Sequence, residues 1–122
     1  MKIIKVKTNS KNYQIKVGHD LLGSIPLKKL VSQKDILLVI DNRVPESLIN
    51  KLKNNVKKSS SKKINLIKIN ASENNKNMSY LAKVYDFLIR NNYSRDCIIF
   101  GIGGGITCDM TGFIASTFLR GV

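Results

Sequence analysis

"CIIFGIGGGITCDMTGFIASTFLRGV", residues 97–122, holds three parts in order. An apolar run comes first, glycines at 103–105 follow, and an apolar stretch with helical spacing closes it. "CIIFGI" (97–102) has the length and continuity of a strand buried on both faces. "MTGFIASTFLR" (110–120) places Met110, Phe113, Ile114 and Thr117 on one helical face. A strand, a glycine turn and a helix make one unit of an open α/β sheet. Ligands of such sheets sit beyond the carboxyl ends of the strands, where these glycines fall.

The same alternation runs upstream. "DILLVID" (35–41) is a continuous apolar run ending in an acid, as in a parallel strand covered on both faces. "VPESLINKLKNNVKK" follows, with Val44, Leu48, Ile49, Leu52 and Val56 at helical spacing. Pro45 and Glu46 suit its first turn. "INLIKI" (64–69) reads as a strand. "MSYLAKVYDFLIRNN" (78–92) is the clearest helix, with a stripe of Met78, Leu81, Tyr85, Leu88 and Ile89. Before these, residues 2–7 and 13–17 alternate with period two around "TNSKN", which predicts an antiparallel hairpin with one wet face. "HDLLGSIPLKKL" is a short helical piece or loop broken by Gly23 and Pro26. A serine and lysine loop lies near residue 60. The expected fold is one α/β domain, residues 1–122, with a mostly parallel open sheet and an N-terminal β-hairpin.

Composition narrows the function classes. The 122 residues are 43% hydrophobic and 24% charged, ordinary for a globular chain. No apolar run is long enough to span a membrane. The start, "MKIIKVKTNS", lacks the unbroken apolar segment of a signal peptide, so a cytoplasmic protein is expected. The formal net charge of +13 invites a nucleic-acid reading. The excess is almost all lysine, spread along the chain. Its densest run, "KLKNNVKKSSSKK" (51–63), has no aromatic residue on which a base could stack. A solvated surface accounts for it better than a nucleic-acid-binding module. Cys97 and Cys108 fit neither a redox pair nor a zinc knuckle. His19 is the one histidine, placed on a turn after Gly18, so no metal site is expected within the chain.

The glycines alone do not identify a ligand. Glycine lets a backbone approach closely, and a helix start offers unpaired N–H groups to an anion. A Walker A loop needs a lysine that is missing here. The dinucleotide pattern G-x-G-x-x-G begins with Gly101 and Gly103 but fails at Ile106. Its acid comes about 20 residues after the glycines, whereas the best strand-end acid, Asp41, lies upstream. At this level a plain turn and a nucleotide loop stay equally open.

The longer string "GGGITCDMTGFIASTFLRGV" resembles the nucleotide-loop segment of the 3-dehydroquinate synthase family, within the sugar phosphate cyclases. "SENNK" keeps that family's Glu-x-x-Lys spacing through Glu73 and Lys76, and Asp41 matches its strand-end acid. The resemblance implies a Rossmann-like N-terminal domain that binds NAD. By it, Asp41 contacts the adenosine ribose, and Glu73 and Lys76 line the nucleotide site. Gly104, Gly105 and Ile106, with Thr107 and Cys108 behind, cradle the pyrophosphate. Asp109 faces the nicotinamide, and Arg120 reaches the substrate phosphate. No catalytic residue is assigned with certainty.

The family's reaction takes 3-deoxy-D-arabino-heptulosonate 7-phosphate to 3-dehydroquinate and phosphate in the shikimate pathway, with transient oxidation by NAD. A divalent metal, zinc or cobalt, polarises the hydroxyl that is oxidised. Its ligands belong to a helical C-terminal domain outside these residues, so this part alone is expected to be inactive. A homodimer is expected for the full-length protein. Two positions depart from the family. Cys108 stands where glycine is usual, and Arg43 stands where some members carry asparagine. Another sugar phosphate cyclase and an iron-dependent alcohol or glycerol dehydrogenase-like enzyme are the alternatives. "MTGFIAS" fits the synthase better than the latter.

Overall fold

A computed structural model describes residues 1–60 and 62–122. The loop near residue 60 includes Ser61, which lies outside the described residues. The elements are β1 (Lys2–Val6), β2 (Tyr13–Val17), a 3-10 turn (Leu21–Gly23), α1 (Lys28–Val31), β3 (Asp35–Asp41), α2 (Glu46–Ser59) and β4 (Ile64–Ile69). A second 3-10 turn (Glu73–Asn75), α3 (Met78–Arg90), β5 (Cys97–Ile102), α4 (Gly105–Thr117) and a third 3-10 turn (Phe118–Arg120) complete them.

β3 is the centre of a parallel three-stranded sheet of order β4-β3-β5. Successive residues of a strand point to opposite faces, so β3 feeds two cores. Leu37 and Val39 join Leu81, Val84 and Leu88 of α3 and Met110 and Ile114 of α4. Ile36, Leu38 and Ile40 join Val31 of α1 and Ile49, Leu52 and Val56 of α2. These five β3 side chains are fully buried. Tyr93 Oη donates to Ile36 O at 2.8 Å and lies 2.9 Å from Asn65 Oδ1, tying the loop after α3 across β3 and β4. This burial pushes the Tyr93 phenol well above its ordinary range.

The parallel α/β order and the hairpin stand as expected. Four details differ. β4 and β5 are edge strands, so "CIIFGI" is only partly buried rather than covered on both faces. The buried stripe of α3 is Leu81, Val84 and Leu88, whereas Met78 and Ile89 are exposed. α4 starts at Gly105, five residues before Met110, and buries Thr107, Met110, Thr111 and Ile114 while Phe113 is exposed. Pro45 is the residue before α2 rather than inside its first turn.

The hairpin is a further difference. The register Ile4↔Ile15 and Val6↔Tyr13 puts Ile4, Val6, Tyr13, Ile15 and Val17 on one face. That face is apolar, yet Ile4, Tyr13, Ile15 and Val17 are all exposed. Both faces are open rather than one. No helix among the described residues is long and apolar enough to cross a membrane.

Stability therefore rests on the β3 cores. Leu37→Ala is expected to cost about 2–5 kcal/mol, since it empties a fully buried site. Ile15→Ala on the open hairpin is expected to cost within about 0.5 kcal/mol. Urea unfolding of the two variants measures both.

Candidate functional site

The carboxyl edge of the sheet is built by the glycine segment. Gly104 precedes α4 in extended conformation, and no side chain caps the helix. The first helical hydrogen bond runs from the Cys108 N–H to Gly104 O at 3.1 Å. The N–H groups of Gly105, Ile106 and Thr107 precede it and have no intrahelical acceptor. They form the positive end of the helix dipole. A Cβ placed on Gly104 or Gly105 would meet nothing within 4 Å, so the solvent side of this turn is open. The expected loop residues Gly105, Ile106, Thr107 and Cys108 are thus the first turn of a helix. Cys108 is exposed and helical and needs no positive φ. Cysteine at this position therefore brings no backbone strain.

The other two glycines set how closely α4 meets the sheet. A Cβ on Gly101 would lie 2.8 Å from Thr111 Oγ1 and 2.9 Å from Thr111 Cβ. One on Gly103 would collide with Thr107 Oγ1 and lie 2.8 Å from Thr107 Cβ and 3.0 Å from Asp41 Cβ. Thr107 and Thr111, one turn apart, fill the space these glycines leave. Thr107 is fully buried, and neither threonine hydroxyl has a hydrogen-bond partner among the described residues.

Asp41 ends β3 beside this contact, with 3% of its surface exposed. Its Oδ1 accepts from the Arg43 backbone N–H and from Arg43 Nε, both at 3.0 Å. Its Oδ2 accepts from Arg43 Nη2 at 2.7 Å, and Nη2 also donates to Ala71 O at 2.8 Å. The Arg43 side chain and backbone hold the Asp41 carboxyl below the usual range. The Thr107 hydroxyl adds a smaller push the same way, although it forms no hydrogen bond of normal geometry. The carboxylate expected to face a ribose is thus already engaged by its own chain.

Lys76 and Asp109 meet on the other side of the helix start. Ser72 caps the turn before Lys76, and Asn77 caps α3 just after it, accepting from the Tyr80 N–H at 3.0 Å. Lys76 is thereby fixed between two capped turns, and its Nζ lies 2.9 Å from Asp109 Oδ2. Asp109 first, and Glu73 less, raise the Lys76 pKa. Glu73 is itself exposed. Beneath the pair is a cavity of about 370 Å³ lined by Lys76, Asn77, Met78, Leu81, Asp109, Met110 and Phe113.

Arg120 does not join this group. It is exposed, at positive φ, past the far end of α4. A helix rises 1.5 Å per residue, so it stands on the order of 20 Å from Gly105. Among the described residues, no three histidine, cysteine, aspartate or glutamate side chains come together as a metal site. Thr111 and Asn77 are not singled out by the sequence, and the cavity residues Met78, Leu81, Met110 and Phe113 are legible in it only as helix-face residues. The pairing of Gly101 and Gly103 with threonines at 107 and 111 was the signal available for the first.

Residues 66–122 match the family model described as 3-dehydroquinate synthase N-terminal. Over 98% of its length the chain is 36% identical to the 3-dehydroquinate synthase of Pelagibacter ubique. Over its full length it is 34% identical to that of Clostridium kluyveri. It spans 32% and 34% of those two proteins. A crystal structure of 2-deoxy-scyllo-inosose synthase complexed with carbaglucose-6-phosphate, NAD+ and Co2+ superposes with a TM-score of 0.81. It is 19% identical, and 99% of this chain covers 33% of that one, so it shows the fold alone. The 2-epi-5-epi-valiolone synthase of Streptomyces hygroscopicus, with NAD+ and Zn2+ bound, superposes with a TM-score of 0.74 at 25% identity, again over 99% of this chain and 33% of that one.

Gly101→Ala is expected to cost about 1–3 kcal/mol, because the new methyl group overlaps Thr111. Chemical unfolding measures it. The depressed Asp41 carboxyl contributes stability above its unfolded pKa, near 4, and that contribution is lost as pH falls through the lower folded value. The stability advantage of the wild type over Asp41→Asn should therefore be full at pH 7 and shrink below about pH 4. Urea midpoints across pH check this.

Proposed function

We propose that this chain, whose residues 66–122 match the family model and which spans about a third of its curated relatives, belongs to the 3-dehydroquinate synthase family and forms the NAD-binding part of such an enzyme. The reaction is conversion of 3-deoxy-D-arabino-heptulosonate 7-phosphate to 3-dehydroquinate with loss of phosphate. It is a carbon–oxygen lyase reaction of the shikimate pathway, carried out in the cytoplasm. Residues 1–122 act as one cofactor-binding domain.

The observation that carries this reading is the uncapped start of α4. Three unpaired N–H groups face open space beside a fully buried, unpartnered threonine hydroxyl. That arrangement suits a pyrophosphate. The N–H groups of Gly105, Ile106 and Thr107 donate to it, and Gly104 lets it approach the main chain. Cys108 continues the first turn behind the cradle. Asp41, with Arg43, stands at the adenosine ribose. Lys76, Asp109 and Glu73 flank the nicotinamide side, above the apolar cavity that a flat ring requires. NAD, when bound, supplies a hydride acceptor that turns a substrate hydroxyl transiently into a ketone. The Lys76–Asp109 ion pair brings a positive and a negative side chain to that end. Arg120 is the substrate-phosphate ligand of the whole enzyme, reached from the far end of α4. Zinc or cobalt serves the family's chemistry, and no residue of this chain is given a metal role. The whole protein acts as a homodimer. A second reading is another sugar phosphate cyclase, favoured by the likeness at 25% identity to the 2-epi-5-epi-valiolone synthase.

Calorimetry with NAD, on this chain and on the full-length gene product, tests the proposal. NAD should bind the full-length product, and Lys76→Ala or Asp109→Ala should each weaken it about ten-fold, or about 1.4 kcal/mol. Absence of NAD binding to the full-length product rejects the reading. Release of phosphate from the seven-carbon keto-acid phosphate separates the synthase from the other cyclases.

A further inference from the structure

Arg43 is the residue at this edge whose position neither the fold nor the glycine segment explains. Its guanidinium spans both oxygens of a nearly buried carboxylate and a main-chain carbonyl across the site. This uses Nε and Nη2. Nη1 makes no hydrogen bond among the described residues, and the side chain is 70% exposed. The planar fork is thus clamped on one side and presents two free N–H groups to solvent on the other. Asp41, on which it is clamped, touches the glycine turn through the Gly103 contact. The free donors therefore lie at the adenosine end of the proposed cofactor site.

Two features of a dinucleotide site depend on the groups placed here. An unpaired acid at the strand end accepts from the ribose 2′-hydroxyl and repels a 2′-phosphate, whereas an arginine nearby accommodates that phosphate. Asp41 is 3% exposed and three of its roughly four acceptor positions are already engaged. Its charge is matched by Arg43, so its capacity both to hold the hydroxyl and to repel the phosphate is reduced. The pre-positioned guanidinium is suited to a dianionic phosphate through paired charge-assisted hydrogen bonds. A chain of net charge +13 also favours the more anionic ligand at long range.

We infer that Arg43 opens the adenosine end of this site to a 2′-phosphorylated ribose, so that the protein takes NADP at least as well as NAD. This rests on the dinucleotide-binding reading above.

Calorimetry of the full-length gene product with NAD and with NADP, in the wild type and in Arg43→Asn, tests it. The wild type should bind NADP at least as tightly as NAD. Arg43→Asn should lower the NADP-to-NAD affinity ratio at least about ten-fold, through loss of the phosphate contact. Tighter binding of NAD than of NADP by the wild type overturns the inference and leaves the NAD site standing. A smaller change of ratio in the variant also overturns it. Binding of neither cofactor overturns both. Should Arg43→Asn not fold, Arg43→Lys supplies the ratio. Lysine keeps the charge and loses the planar fork, so its ratio should also fall, and an unchanged ratio counts against the inference. Adenosine 2′,5′-bisphosphate against adenosine 5′-monophosphate repeats the comparison without the nicotinamide half and should show the same order.

Discussion

The contact between two glycines and two threonines governs this structure. Gly101 and Gly103 carry no side chain on the face where α4 arrives, and Thr107 and Thr111 occupy that space. An added methyl group at either glycine would overlap a threonine. Because the helix can come this close, its first turn lies directly over the end of β5 and beside Asp41. The unpaired N–H groups, the buried Thr107 hydroxyl and the strand-end acid are thereby gathered at one edge. The two unsatisfied hydroxyls accompany that close approach, since a buried polar group without a partner carries a desolvation penalty.

β3 makes the platform that this contact needs. Its alternating side chains are fully buried in two separate cores, one under α3 and α4 and the other under α1 and α2. The hairpin contributes little to either core. Its apolar residues are paired across the two strands, and all but Val6 are exposed. The period-two pattern in the sequence correctly signalled the strands. It also signalled a buried face, and burial requires a partner surface that the pattern does not contain.

Charge at the site is organised in two neighbouring pairs of different character. Asp41 and Arg43 are two residues apart, and the acid is nearly buried while the base reaches into solvent. Lys76 and Asp109 lie on different elements and are both substantially exposed, so solvent screens their attraction. The first pair has a rigid geometry set by three hydrogen bonds to the carboxylate. The second is held by the capped turns around Lys76 and can yield to a ligand. Exposed pairs of this kind contribute little to stability and are free to serve recognition.

Local chemistry made much of this legible beforehand. Apolar runs of strand length, helical spacing in "LINKLKNNV" and "LAKVYDFLI", and a glycine turn between strand and helix are short-range properties, and the chain followed them. The family resemblance in residues 103–122 rested on the same local string. Three things needed the tertiary structure. The start of α4 was read five residues late because glycine has low helix propensity, and packing against β5 overrides that preference. The buried face of α3 turned from Met78 and Ile89 to Val84, because a helix buries whichever side the sheet occupies. The state of Asp41 was the third. Only the folded edge shows that Arg43 closes on it and reaches Ala71, a residue distant in sequence and adjacent in space. Sequence alone determined which residues are available for binding. The tertiary structure decided which of them remain free, because hydrogen bonds and close contacts form between neighbours in space.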